Sequence, residues 1–275
     1  MPVCSYCENE CSLTREHIIP NFLYRYQKRN GGHIGWNEGA QKIIGGEAQI
    51  KDVCQRCNNG VLHDLDDYGR EFLENAGIFV ENFLIKQHVV YYDYCSLLRW
   101  LLKISFNSAR ASKNQASVFE YQKGFILNGS GSSDAEHPKE TFLLAGLVKP
   151  ASLSEDEAKK YASQLPISDE GFSNPFFIRL SWVPAISGSH VIRLVVIGAL
   201  VFHLVIFNNE VKPGFRRSQV RRWLKENKGM QLVDPAKKAI TLTQNDISFL
   251  DHTSMQLGRD KHREAAENLL TSSFR

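Results

Sequence analysis

Apolar and polar positions alternate or recur with periods that divide the chain into short elements. Leu13 to Ile19 is a brief run ending in β-branched residues and stopped by Pro20, the pattern of a strand. Asn21 to Arg29 carries Phe22, Leu23 and Tyr26 on one side of a short helix. Between Asn30 and Gly46 the glycines Gly31, Gly32, Gly35, Gly39, Gly45 and Gly46 break every period, which predicts a long functional or mobile loop. Ala48 to Val53 alternates as a second strand. Leu62, Leu65, Phe72, Leu73, Ala76, Phe79, Val80 and Phe83 then keep helical spacing to about Leu84, with Asn58 or Asn59 as N-cap and Gly69 and Gly77 as interruptions. Residues 13–84 therefore read strand, loop, strand, helix.

A second helix is expected over Asp93 to Arg110, where Leu97, Leu98, Leu101, Leu102 and Ile104 make a broad apolar face. Beyond it the pattern changes. Ser117–Leu127, Glu140–Val148, Pro175–Val183, Val191–Ile197 and Leu200–Phe207 read as strands, separated by Gly, Ser, Pro and Asn clusters. Ser154–Gln164 and Ser218–Asn227 read as helices, Ala239–Leu242 as a short strand, and Asp260–Leu270 as a polar helix. No internal repeat is visible. The expected class is α+β. An N-terminal domain spans 1–88, and 89–275 forms a mixed α/β-rich domain with a mainly antiparallel sheet, its role candidate nucleic-acid binding or sensing.

Composition narrows this little: 43% hydrophobic and 23% charged residues exclude global disorder. The apolar run from Val191 to Phe207 is too short for a membrane span and holds Arg193, Gly198 and His203, so it predicts two buried strands and no membrane contact. Met1-Pro2-Val3-Cys4 has neither a basic nor an apolar leader pattern, which predicts a cytoplasmic protein. The charge distribution says more than the net +3. Residues 1–86 are acid-rich, whereas Lys212 to Lys238 holds nine basic residues against two acidic ones. Any grip on a polyanion is therefore expected there. Arg216, Arg217, Arg221 and Arg222 surround Val220, Trp223 and Leu224, which share one helical side, so this helix is the candidate backbone-binding element.

Candidate chemistry lies at the other end. Six cysteines without a leader suit a reducing compartment, where Cys-x-x-Cys pairs hold metal more often than disulfides. Cys4, Cys7, Cys54 and Cys57 can close a tetrahedral zinc site around an inserted segment. Cys11 replacing Cys7 is an alternative frame, and Cys95 reads as core. Inside the frame lie Glu16 and His17, and Asn58 follows its last cysteine. Phosphodiester hydrolysis needs an activated water and neutralised phosphate charge. His17 has a base of suitable pKa, while Glu16 and Asn58 offer oxygens to a hard divalent ion. Neighbours on a strand face opposite ways, so Glu16 and Asn58 can share an ion only where the strand twists or ends.

Cys-x-x-Cys, a strand bearing Glu16-His17-Ile18-Ile19-Pro20, and Cys-x-x-Cys-Asn opening a helix together resemble the zinc-stapled branch of the HNH endonucleases, with their ββα-metal fold. The resemblance covers about residues 4–65. It implies catalytic roles for His17 as water-activating base and for Glu16 and Asn58 as ligands of a catalytic Mg²⁺ or Mn²⁺. It also implies structural Zn²⁺ on Cys4, Cys7, Cys54 and Cys57. His63, on the following helix, is an extra candidate ligand. The family's middle asparagine, which steadies the loop after the histidine, has no clear match; Gln49 and Asp52 are nearest.

The expected function is metal-dependent hydrolysis of DNA, double-stranded by preference, of the kind used in restriction, phage defence or mobile elements. Two alternatives stand beside it: a zinc-stapled nucleic-acid-binding or regulatory protein that does not cut, and a sensor-effector whose C-terminal domain binds a ligand or partner protein and gates the nuclease. A homodimer is compatible with all three.

Overall fold

The computed structural model describes residues 1–29, 35–37, 42–44, 47–127, 137–162, 165–184 and 188–250. In chain order the first half has β1 (Leu13–His17), α1 (Asn21–Arg29), β2 (Gly35–Asn37), β3 (Lys42–Ile44), β4 (Gln49–Cys54), α2 (Gln55–Asn59), α3 (Val61–Asn75), β5 (Gln87–Tyr91) and α4 (Tyr94–Ala111). A 3-10 turn (Ala116–Phe119) leads to α5 (Lys123–Leu127), β6 (Thr141–Lys149), β7 (Ala151–Ser152), α6 (Glu155–Tyr161), β8 (Phe172–Ser173) and β9 (Ile178–Pro184). The rest comprises β10 (His190–Ile197), β11 (Leu200–Phe207), α7 (Pro213–Glu226), β12 (Gln231–Leu232) and β13 (Ala239–Ser248). The class is mixed α+β with a mainly antiparallel sheet, as expected.

That sheet has seven strands in the order β5-β13-β6-β11-β10-β9, with β12 also pairing to β6. Alternation along its strands divides the side chains between two helices. Leu143, Ala145 and Leu147 of β6 and Leu200, Phe202, Leu204 and Ile206 of β11 join the core cluster that contains α4. Leu144, Val148, Val201, Val205 and Phe207 join the cluster under Val220 of α7. Strands buried on both faces read as continuous apolar runs, which is why Val191 to Phe207 looks membrane-like in sequence. It is a hairpin, Ile197 pairing with Leu200. Gly198 sits at its turn with φ +55, where a Cβ would also lie 2.6 Å from the Ile78 side chain. Among the described residues no helix is long and apolar enough to cross a membrane.

The larger core cluster runs from Cys4 to Leu242 and includes residues on both sides of the expected boundary at 88. Leu62, Leu65, Phe72 and Leu73 of α3 pack with Leu97, Leu98, Trp100 and Leu101 of α4 in this one cluster. The N-terminal strand pair thus sits against a helix of the larger sheet.

Several elements differ from expectation for physical reasons. In place of a helix expected to start near residue 58 and reach Leu84 there are two: α2 starts at Gln55 and stops before Gly60, and α3 is closed at Asn75. Neither asparagine is a cap: Cys54 caps α2, its Sγ accepting the Cys57 N–H, and Gly60 stands at the cap position of α3. At the far end Gly77 has φ +60, its N–H donates to the Glu74 carbonyl and the Ile78 N–H to the Leu73 carbonyl, a Schellman closure. The stretch 117–127 is helical rather than a strand, because its buried residues Phe119, Gln122, Phe125 and Ile126 recur at three and four, not two. β13 is longer than expected because its second half pairs parallel to β6, a partner distant in sequence. Most of the 30–46 loop and the 260–270 helix lie outside the described residues.

Candidate functional site

Four thiols anchor the N-terminal region. The Sγ atoms of Cys4, Cys7, Cys54 and Cys57 lie within 4.8 Å of one another, a cluster that could hold a metal ion. Cys7 Sγ and Cys54 Sγ are 3.8 Å apart, far beyond a disulfide bond. That separation equals the edge, about 3.8 Å, of a tetrahedron with metal–sulfur bonds of about 2.3 Å. Cys11 is outside the group and its thiol points to the Asn9 carbonyl, so the alternative frame is not the one formed. The two cysteine turns are knitted by backbone: Ser5 N–H donates to the Asp52 carbonyl at 2.9 Å and Cys54 N–H to Cys4 Sγ at 3.3 Å. Burial pushes the Cys4 thiol up, but N–H groups of Cys54, Cys7 and Tyr6 outweigh it and bring the pKa down to about 7. Burial and its neighbouring thiols push Cys57 up. Such a set sheds its protons fully only to a cation.

β1 pairs antiparallel with β4, setting Glu16 opposite Ile50 and His17 opposite Gln49, with a register break between Thr14 and Arg15. Asn58 locks onto that irregularity. Its Nδ2 donates to Thr14 Oγ1 and to the Arg15 carbonyl, each at 2.9 Å. The amide NH₂ being spent, Oδ1 is the atom Asn58 has left to offer. The strand break and its end at His17 let Glu16, His17 and Asn58 line one cleft of about 450 Å³, together with His63, Asp66 and Lys103.

Glu16 is buried. Its Oε1 takes the Lys103 ammonium at 2.8 Å and the Asn107 amide at 3.1 Å, while Oε2 has no partner among the described residues. Lys103, 1% exposed, also reaches Asp66 Oδ2 at 2.6 Å. Burial opposes its charge, but the Asp66 and Glu16 carboxylates outweigh burial and hold the ammonium above its usual range. Burial raises the Asp66 carboxyl, a shift the ammonium only partly offsets.

His17 has its Nε2 2.8 Å from Glu47 Oε2 and 2.8 Å from Gln49 Nε2. The carboxylate is matched by an N–H on Nε2, which requires the Gln49 amide to turn its oxygen rather than its NH₂ to the ring and leaves the lone pair of the ring on Nδ1. Glu47 is itself held by Lys28 at 2.9 Å, and Lys28 and then His17 pull its carboxyl below the usual range. The His17 carbonyl accepts from Asn107 Nδ2 at 2.9 Å.

Asn107 is the hub that the chain pattern does not reveal. Its Oδ1 accepts from Tyr6 OH at 2.6 Å and from Arg110 Nη2 at 2.5 Å. Arg110 in turn pairs with Asp52 and stacks its guanidinium 4.6 Å from the Phe106 ring centroid. Gln49 and Asp52, the nearest sequence matches to a loop-steadying asparagine, do other things: one reaches the His17 ring, the other the Arg110 guanidinium. The His17 backbone is gripped from α4 instead. Lys103, Asn107 and Arg110 recur at four and three on a largely apolar helix, and that polar stripe is the signal that could have identified them.

The remaining candidates are dispersed. His63 lines the cleft and lies 3.5 Å from Asp67, with most of its side chain exposed. Arg216 is a correction. It is buried, and four of its five guanidinium N–H donors go to the Val211, Asn209 and Lys139 carbonyls and to Glu140 at 3.1 Å, so it anchors a loop rather than facing a phosphate. Arg217, Arg221 and Arg222 are exposed on α7, and Arg222 pairs with Glu226. α7 covers the sheet face opposite α4, so these arginines lie across the sheet from the cleft. The arginines at the cleft are Arg25 and Arg70, which sequence reasoning missed.

No protein family, curated protein or solved structure matches this chain.

Proposed function

We propose that this protein is a metal-dependent endonuclease of the HNH type, acting on DNA and double-stranded by preference, in which Zn²⁺ on Cys4, Cys7, Cys54 and Cys57 is structural. The observation that carries the reading is the meeting of three groups at one cleft: His17 with a carboxylate on Nε2, Glu16 with a spare Oε2, and Asn58 with its NH₂ tied back to β1. A carboxylate oxygen and an amide oxygen suit a hard divalent ion, and Glu16 and Asn58 would hold Mg²⁺ or Mn²⁺ there. Bound there, such an ion supplies Lewis-acid stabilisation of the phosphate and of the departing oxygen.

The chain's own residues do the rest. His17 takes a proton from the attacking water at Nδ1, and Glu47 holds the ring and stabilises the imidazolium that forms. Asn107 fixes the backbone of His17, so that the ring is placed from both ends. Arg25 and Arg70 at the cleft offset the acidic balance of this region toward a polyanion. Free thiols gathered for metal suit a reducing compartment such as the cytoplasm. Restriction, phage defence or mobile-element roles fit such an activity, as would a homodimer.

One observation favours a second reading, a zinc-stapled nucleic-acid-binding protein that does not cut: Glu16 already has a cation beside it in Lys103. Plasmid DNA incubated with Mg²⁺ or Mn²⁺ separates the two. The endonuclease reading requires cleavage that is abolished by EDTA and by His17→Ala. Binding without cleavage under either ion supports the second reading, and cleavage that persists in His17→Ala sinks the assigned mechanism.

A further inference from the structure

The cleft contains a cation of its own. Lys103 comes from α4, is 1% exposed, and spends its ammonium on carboxylates of two other elements, Glu16 on β1 and Asp66 on α3. Buried lysines are rare unless paired, and this one is paired twice. Its contacts of 2.8 and 2.6 Å place a single positive charge directly between the two acids. Glu16 Oε1 is further occupied by Asn107. A divalent ion entering the cleft therefore finds Oε2 of one carboxylate and the Asn58 amide oxygen, rather than two carboxylates open to it. Divalent-ion affinity at oxygen sites rises with the number of charged ligands.

We propose that Lys103 is a positioning residue that holds Glu16 by one oxygen and keeps the free cleft from binding a divalent cation tightly. It offsets one of the two negative charges of the Glu16–Asp66 pair and bars an ion from bridging them. The ion is then retained only when further oxygens arrive, as a substrate phosphate would supply, so the protein without nucleic acid carries little loaded metal. This deepens the endonuclease reading and rests on it for the identity of the ligands. Its test does not use cleavage and can fail separately.

The experiment is a titration of the zinc-loaded full chain with Mn²⁺, following free Mn²⁺ by electron paramagnetic resonance without DNA. Lys103→Met keeps the unbranched stem of the buried side chain, one atom shorter, and removes the charge. The expected result is at least tenfold tighter Mn²⁺ binding in K103M than in the natural chain, with the gain abolished in K103M/E16Q. Unchanged or weaker binding in folded K103M overturns the proposal, as does a gain that survives E16Q. If K103M does not fold, Asp66→Asn takes its place. Removing that carboxylate leaves the ammonium to Glu16 alone, so Mn²⁺ binding should fall severalfold. Unchanged or tighter binding in D66N overturns the proposal. Plasmid cleavage, scored independently, decides the endonuclease reading whichever way the affinities fall.

Discussion

Asn107 Nδ2 donates to the His17 carbonyl at 2.9 Å across ninety residues of chain. The same amide group reaches Glu16 Oε1, so one buried side chain on α4 holds both residues of the central dipeptide. Replacing Asn107 by Ala strands several buried polar groups, each worth about 1–3 kcal/mol when left unpaired. The expected outcome is a chain destabilised by about 2–4 kcal/mol in denaturant unfolding. Cleavage should fall by a larger factor than DNA affinity does, because positioning rather than binding is impaired.

Glu47→Gln removes the carboxylate on His17 and keeps its shape. Cleavage should fall about 10- to 100-fold, the usual cost of losing the partner that orients a functional histidine. DNA affinity measured without a divalent ion should change little. A variant that cuts at the full rate would remove Glu47 from the mechanism.

Cys54→Ser breaks the metal frame but keeps an acceptor for the Cys57 N–H at the cap of α2, so what it removes is a metal ligand. The purified variant should lose its zinc, measured by elemental analysis, and its N-terminal region should become sensitive to protease. Cys11→Ser should keep both zinc and stability, because Cys11 lies outside the cluster.

Gly69 on α3 faces Trp100 on α4 so closely that a Cβ would lie 2.1 Å from the indole. Gly69→Ala must push the two helices apart, and overpacking of this kind costs about 1–3 kcal/mol. Asp66 and Lys103 ride on those helices, so the variant should lower the unfolding midpoint and loosen the cleft together.

The arginines of α7 divide into two kinds. Arg217→Ala, Arg221→Ala and Arg222→Ala should leave stability nearly unchanged, being exposed. If α7 touches the DNA backbone, they should flatten the salt dependence of affinity by about 0.9 for each phosphate no longer neutralised. Arg216→Ala should instead destabilise the fold with an unchanged salt slope, as its partners are carbonyls and Glu140. A shifted slope in Arg216→Ala would reverse that assignment.

The chain pattern by itself was enough for the four-cysteine frame, for the dipeptide Glu16-His17 on a strand, and for most helices and strands. These are local properties: ligand spacing in a turn, apolar period, and the stop signal at Pro20. It failed where long-range partners decide the outcome. The second half of β13 is a strand because β6 lies beside it. At the site the same division holds. Spacing identifies groups that can ligate or move protons, but burial and pairing arise only when α4 packs against β1 and α3. Glu16 reads as an acid open to a metal. Tertiary packing makes it a buried acid with one oxygen held by Lys103 and Asn107 and the other without a partner among the described residues. A sequence position carries a donor or an acceptor; only the fold decides which partners share it, because those partners come from strands and helices far apart along the chain.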